Sequence, residues 1–188
     1  QGYDPSMRRV AVTGLGVVSP LGSDIGTLWD NLIQGKSGIV PIEEFSDLPV
    51  TFGGRAQGFD PSRYLGQKEL RHMDRYAQMA LTAGLDAYHH ARLSRSSYPP
   101  QRIGVMIGSG SGGMATIESQ IQTFLARGAR RVSPVTVPMF ITNMASAECS
   151  IRINAKGPGM GITSACATGG HALALASRLI QAGDADCM

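Results

Sequence analysis

Gly157-Pro158-Gly159-Met160-Gly161-Ile162-Thr163-Ser164-Ala165-Cys166-Ala167-Thr168-Gly169-Gly170-His171 reads as a short strand, a sharp turn and the start of a helix that runs to about Ala182. Cys166 falls where the turn becomes the helix. The first N–H groups of a helix lack internal partners and carry the positive end of its dipole, so a thiol there is biased toward the reactive thiolate. The same N–H groups can hold a developing oxyanion, and small neighbouring residues leave room for a second molecule to reach the sulfur. A free cysteine among small residues is also what an ordinary core position looks like. Local sequence alone leaves both readings of Cys166 open.

Just upstream, Arg102–Ile107 is expected to form a second buried strand, which leads into Gly108-Ser109-Gly110-Ser111-Gly112-Gly113. Glycines 108, 110 and 113 satisfy a G-x-G-x-x-G spacing, but the acidic residue expected about 20 positions on is missing. That region holds Arg130, Arg131 and Ser133 instead. Close backbone approach to another element accounts for the glycines as well as a nucleotide would. Helices are predicted over 114–126 and, with Pro138 at its first position, over 139–153. After the Cys166 helix, Gly183-Asp184-Ala185-Asp186 turns into another expected strand, which implies a domain continuing past Met188.

Toward the beginning, Arg8–Thr13 is expected to be a buried strand running into Gly14-Leu15-Gly16. Position 19 is Ser and Pro20 stands where a helix should be established, so a dinucleotide fingerprint fails here. A helix over 25–34 would bury Ile25, Leu28, Trp29 and Leu32. Gly35-Lys36-Ser37 lacks the upstream glycine of a P-loop. A strand is expected over 49–58, and Asp60-Pro61 should cap a short helical turn. A long amphipathic helix is predicted over 69–90, with Met73, Tyr76, Ala77, Ala80, Leu81 and Leu85 on one face. Lys68, Arg71, His72 and Arg75 lie at its start and form, on composition alone, a solvated basic edge. His89 and His90 are adjacent, which does not point them at one metal. Residues 93–101 read as a surface loop.

The 188 residues, 43% hydrophobic and 16% charged, suffice for one soluble domain with a sizeable core or for part of a larger one. Three cysteines without C-x-x-C spacing argue against a disulfide framework and for a reducing compartment. No run of 18 apolar residues suggests a membrane span. A net charge of +3, with no aromatic-basic interleaving, argues against nucleic acid as a partner. Residues 1–7 are expected to be an N-terminal extension, without the h-region of a signal peptide, ahead of a domain over 8–188.

Taken together, these segments resemble the amino-terminal half of the elongating β-ketoacyl-acyl-carrier-protein synthases, the condensing enzymes of fatty acid and polyketide synthesis. The matching residues are Val12-Thr-Gly-Leu-Gly16, Ser37-Gly-Ile39, Arg71-His-Met-Asp74 and Gly108-Ser-Gly-Ser-Gly-Gly113. They continue with Ser133-Pro134, Val137-Pro138, Asn143-Met144, the Thr163-Ser-Ala-Cys-Ala-Thr-Gly169 elbow and Gly183-Asp-Ala-Asp186. The order is collinear from Arg8 onward.

The resemblance implies an α/β, thiolase-like layered fold, of which this is the amino-terminal half: a mixed sheet covered by helices. It implies that Cys166 takes an acyl group from a carrier-protein thioester. Two histidines and a lysine of a second half, absent here, would then assist decarboxylation of malonyl-carrier protein and carbon–carbon bond formation. His171, five residues after Cys166 on the same helix, does not match those histidines and is expected to be a satisfied helix residue. Ser111 matches a position that helps close the acyl pocket, and a small side chain there implies a roomier one. Thr136 matches a position that reaches the neighbouring subunit's pocket, which implies a homodimer. Lys68 and Arg71, with Arg130 and Arg131, match the basic patch that docks the acidic carrier protein; His72 departs from it, since a second cation is common there.

No metal or organic cofactor is implied, because the phosphopantetheine arm belongs to the carrier protein. The expected setting is the cytoplasm, or an organelle matrix or stroma. The chain alone, with a nucleophile and no histidine partners, is expected to be inactive in condensation and poorly soluble. A non-catalytic carrier-protein-binding or dimerising fragment is the alternative, and a degradative thiolase a third reading that the elbow context opposes.

Overall fold

A computed structural model describes residues 8–56, 58–95 and 97–188; the expected extension over 1–7 lies outside the described residues. Helix α3 (Arg75–His90) is the element on which the others are laid. Its Ala77, Leu81 and Leu85 recur at four-residue spacing and are buried. They meet Leu65, Met73, Val105, Ala145 and Cys149 in one hydrophobic core. Helix α6 (Met144–Ile153) packs across α3, where Gly84 faces the Cys149 sulfur with no side chain between them.

Strands β3 (Val105–Gly108) and β4 (Gly159–Ile162) pair in parallel, with Val105 opposite Gly159 and Gly108 opposite Ile162. Ser146 of α6 stitches this pair from behind: its Oγ accepts from Ile107 N–H at 2.9 Å and donates to the Met160 carbonyl at 2.7 Å. From β4 the chain turns through a 3-10 segment, Ala165–Ala167, into α7 (Thr168–Ala182) and returns to β3, where Cys187 bridges Ile103 in the parallel sense. Arg102 secures that return. Its Nε and Nη2 donate to the two carboxylate oxygens of Asp186 at 2.9 and 2.8 Å, and its Nη1 donates to the Gly183 carbonyl at 2.7 Å. The guanidinium holds the Asp186 carboxyl below its ordinary range. A separate antiparallel pair joins β1 (Ile39–Pro41) to β2 (Phe52–Gly54). The class is α/β, with the parallel pair packed against α6 and α7.

Several expected elements are shorter or differently divided. Arg8–Thr13 is not a strand, because it makes no ladder with a neighbouring strand among the described residues. Just after it, the chain from Gly14 to Gly16 lies along α3. A methyl group on Gly14 or Gly16 would overlap the carbonyls of Ala87 or Ala83, and Leu15 N–H donates to His90 Nδ1 at 3.0 Å. Helix α1 (Ile25–Ile33) forms where predicted, but none of its residues is buried, and Trp29 is 62% exposed. On that face Ile25 and Leu28 are half-buried, while Leu32 is exposed with Trp29. The strand expected over 49–58 contracts to β2, and that expected over 102–107 shifts to β3 behind a 3-10 turn at Pro100–Arg102.

The long helix expected over 69–90 is two helices, α2 (Gln67–Leu70) and α3, broken at Asp74. Asp74 adopts an extended backbone and turns its carboxylate to helix ends: Oδ1 accepts from Tyr76 N–H at 3.2 Å. Oδ2 accepts from the N–H and hydroxyl of Thr116, at 2.9 and 2.6 Å, on α4 (Met114–Arg127). The helix expected over 139–153 is likewise split, into α5 (Thr136–Phe140) and α6. The Phe140 carbonyl is taken by Gly113 N–H at 2.9 Å and Ile141 is extended, which interrupts the helix.

Three hydrogen bonds to one buried carboxylate predict that Asp74→Ala destabilises the chain by about 3 kcal/mol. Urea unfolding followed by circular dichroism measures it; a loss below about 1 kcal/mol would show that the two helices do not depend on the shared cap.

Candidate active site

Parallel pairing puts the ends of β3 and β4 at the same edge, so the two loops leaving them are neighbours. One is the glycine loop, in which Ser109 N–H donates to the Ile162 carbonyl at 3.0 Å. The other is the elbow. Clefts at the carboxyl ends of parallel strands are where α/β proteins bind ligands. The glycine spacing follows from packing at this edge. A methyl group on Gly108 would run into the Thr168 side chain, and one on Gly113 would lie 2.7 Å from Asp74 Oδ2. A methyl group on Gly110 would meet nothing within 4 Å beyond its chain neighbours among the described residues.

Cys166 sits in the middle of the 3-10 turn, two residues before α7 begins. Ala165 ahead of it has φ 50°, a left-handed conformation that a residue with a β-carbon adopts at a cost. Arg92 and Asn154 share this conformation at helix ends, whereas Ala165 adopts it at the entry to a helix. The sulfur is at the surface: Cys166 is exposed, Cys149 buried and Cys187 half-buried. Burial pushes the Cys149 thiol up to about 12 and raises that of Cys187 as well. The first turn of α7 presents Gly169 and Gly170, which meet nothing within 4 Å on the β-carbon side among the described residues. Approach to the elbow is therefore open.

Ser111 lies exposed in the glycine loop, at the same strand edge as Cys166. The turn chemistry of that loop belongs to Ser109, whose Oγ accepts from Gly112 N–H at 2.9 Å, which leaves the Ser111 side chain free of that duty. Thr136 opens α5, and its Oγ1 donates to the Ser133 carbonyl at 2.6 Å. Gly113 N–H ties α5 to the glycine loop through Phe140.

The basic residues fall into two groups. Lys68 and Arg71 share the short α2 and its end, and Arg130 and Arg131 share a 3-10 turn after α4. All four are exposed, as is His72, and none enters an ion pair among the described residues. Glu69, between Lys68 and Arg71, is already engaged by Arg152.

Sequence reading missed one arrangement at the elbow. Ser164 Oγ lies 2.6 Å from His171 Nδ1, and Ser164 N–H donates to Thr168 Oγ1 at 2.9 Å. Thr168 and His171, three apart on α7, share a face, but Ser164 reaches them across the left-handed turn at Ala165, which spacing alone does not foretell.

A parallel pair, a strained elbow with an exposed cysteine and a glycine loop beside it define a thiolase-like α/β half. Solved structures share this fold. A β-ketoacyl synthase from Burkholderia phymatum superimposes with a TM-score of 0.82 at 26% identity, over 95% of this chain and 45% of that one. A type II polyketide ketosynthase, solved with its acyl-carrier protein and bound to the hexaketide, gives 0.77 at 20% identity, over 93% and 47%.

The family follows from sequence. The model of the beta-ketoacyl synthase N-terminal domain matches residues 7–188, and the chain belongs to that family. Among its relatives are the 3-oxoacyl-[acyl-carrier-protein] synthase 2 of Vibrio cholerae, 42% identical over 97% of this chain and 45% of the relative. The enzyme of the same name from Staphylococcus aureus is 41% identical over 96% and 44%. The chain thus spans about half the length of these curated relatives. Among the described residues no helix is long and apolar enough to cross a membrane.

Graded exposure of the three thiols predicts the order of alkylation. Brief iodoacetamide treatment at neutral pH, followed by peptide mass mapping, should label Cys166 first, Cys187 slowly and Cys149 only on unfolding. Labelling of Cys149 ahead of Cys166 would contradict the geometry.

Proposed function

We propose that this chain supplies the acyl-accepting half of a 3-oxoacyl-[acyl-carrier-protein] synthase, with Cys166 as its nucleophile. The observation that carries this is the exposed cysteine on a strained elbow at the carboxyl edge of parallel strands, in a chain of this family. The Cys166 thiolate attacks the carbonyl of an acyl-carrier-protein thioester; a new C–S bond forms and the phosphopantetheine thiolate leaves. Backbone N–H groups at the start of α7 favour the tetrahedral oxyanion. Malonyl-carrier protein then loses carbon dioxide, and its enolate attacks the acyl-cysteine, restoring the Cys166 thiolate and releasing the 3-oxoacyl product. Loss of carbon dioxide generates this carbanion equivalent without a strong base. The histidines and lysine of the second step would come from a second half, so the isolated 188 residues are expected to acylate without condensing.

In this reading Ser111 and Thr136 line the acyl pocket, Thr136 from a partner copy in a homodimer. Lys68, Arg71, Arg130 and Arg131 steer the acidic carrier protein. Their exposure and freedom from ion pairs support this. The chain would need no cofactor of its own, and three free cysteines suit a reducing cytoplasm or organelle matrix. Fatty acid or polyketide synthesis would provide the substrates.

Incubation with an acyl-carrier-protein thioester and intact-mass detection of the acyl adduct tests the proposal. Cys166→Ala should abolish the adduct while changing stability by no more than about 1 kcal/mol, since a small side chain replaces another at the surface. Carrier-protein binding without any adduct on the wild-type chain would favour a non-catalytic docking fragment instead. Reversing charge at Arg130 and Arg131 should weaken carrier-protein binding about tenfold at low salt and less at high salt. Isothermal titration at two ionic strengths reads that effect, and equal loss at both would argue against electrostatic steering.

A further inference from the structure

Acyl transfer to Cys166, as just described, makes no use of the side chain that reaches the elbow from one turn along α7. Ala165 holds a left-handed backbone, and such a conformation persists only where its surroundings over-determine it. The residue before it, Ser164, is gripped twice. Its N–H donates to Thr168 Oγ1 at 2.9 Å, and its Oγ lies 2.6 Å from His171 Nδ1. Thr168 is buried, with its methyl against Gly108, so that grip belongs to the packed base of the site. His171 is exposed and adds nothing to the core; its contribution is the hydrogen bond to Ser164. Thr168 and His171 are three residues apart and share one helix face, so together they hold the segment whose path sets the turn at Ala165.

We propose that His171 is a positioning residue: by hydrogen-bonding Ser164 it holds the Ala165 turn in place and so keeps Cys166 aimed outward from the elbow. This rests on Cys166 being the reactive thiol. A hydroxyl both donates and accepts, so the pair survives either ring tautomer of His171. Cys166 is already exposed, so loosening the turn gains no access and loses only orientation at the helix start.

The test is the rate of iodoacetamide alkylation of Cys166 in the whole chain at one fixed pH, read by mass spectrometry of its peptide beside thermal melts. His171→Ala and Ser164→Ala should each slow alkylation about fivefold, the size of one net hydrogen bond. The double variant should be no slower than either single one. His171→Asn, whose Oδ1 can accept from Ser164 Oγ, should restore the rate. Unchanged or faster alkylation in folded His171→Ala, or losses that multiply in the double variant, overturns the proposal. Should His171→Ala fail to fold, Ser164→Ala with an undiminished rate overturns it equally. Alkylation is independent of acyl transfer. A chain that shows the coupled rate losses but takes no acyl group refutes the proposed function and leaves this inference standing.

Discussion

One buried carboxylate sets the frame. Asp74 begins α3 with Oδ1 and begins α4 with Oδ2, so two helix N-termini converge on a single negative charge. Each terminus has unpaired N–H groups and a positive dipole end, and both requirements are met at once by the same side chain. An apolar residue there would leave Thr116 buried with its N–H and hydroxyl unpaired. The consequence reaches the site directly. Helix α4 starts at Met114, immediately after the glycine loop, so fixing its first turn against α3 fixes the far end of that loop. The near end is fixed by β3. Between these two anchors Ser111 has little freedom of placement, and the rim of the elbow inherits that rigidity.

A second set of polar groups acts on the other side. Ser146 reaches between β3 and β4 to bond an N–H of one and a carbonyl of the other. The strand pair is only four residues long on each side, and short pairs are weak without lateral support. Buried hydroxyl bonds of this kind set register as well as adding stability, because a one-residue slip would leave Ser146 facing the wrong groups. Register matters here because Gly108 must face Ile162 for the glycine loop and the elbow to emerge side by side.

Local chemistry was legible in the sequence wherever it depended on neighbours along the chain. The Cys166 elbow, the Asp60 cap and α7 lie where spacing and turn residues predict them, since each is decided within a few residues. The family resemblance supplied the family and the fold, and the comparisons agree with both. What could not be read was decided by contacts far apart in the chain. Asp74 looks like one more polar residue in an amphipathic run until Thr116, 42 residues on, is placed against it. Arg8–Thr13 has strand-like composition, but composition does not say which strand it will pair with. Apolar periodicity in α1 predicts burial, yet periodicity cannot say whether a partner lies opposite. The sequence leads one to expect a satisfied helix histidine at 171 but does not reveal its partner, because Ser164 lies across a turn whose shape is set by Ala165.

The clamp of Arg102 on Asp186 also orders events in time. These residues are 84 apart in sequence, and the second appears at the end of the returning crossover. A growing chain emerging from the ribosome can settle α3 against α4 once residue 116 is free, because that contact is comparatively local. The bridge from Ile103, just ahead of β3, needs Cys187 and the Arg102 clamp needs Asp186, with the entropy of a long loop opposing both. The elbow lies inside that loop. The crossover that carries Cys166 is therefore closed by contacts between residues far apart in sequence.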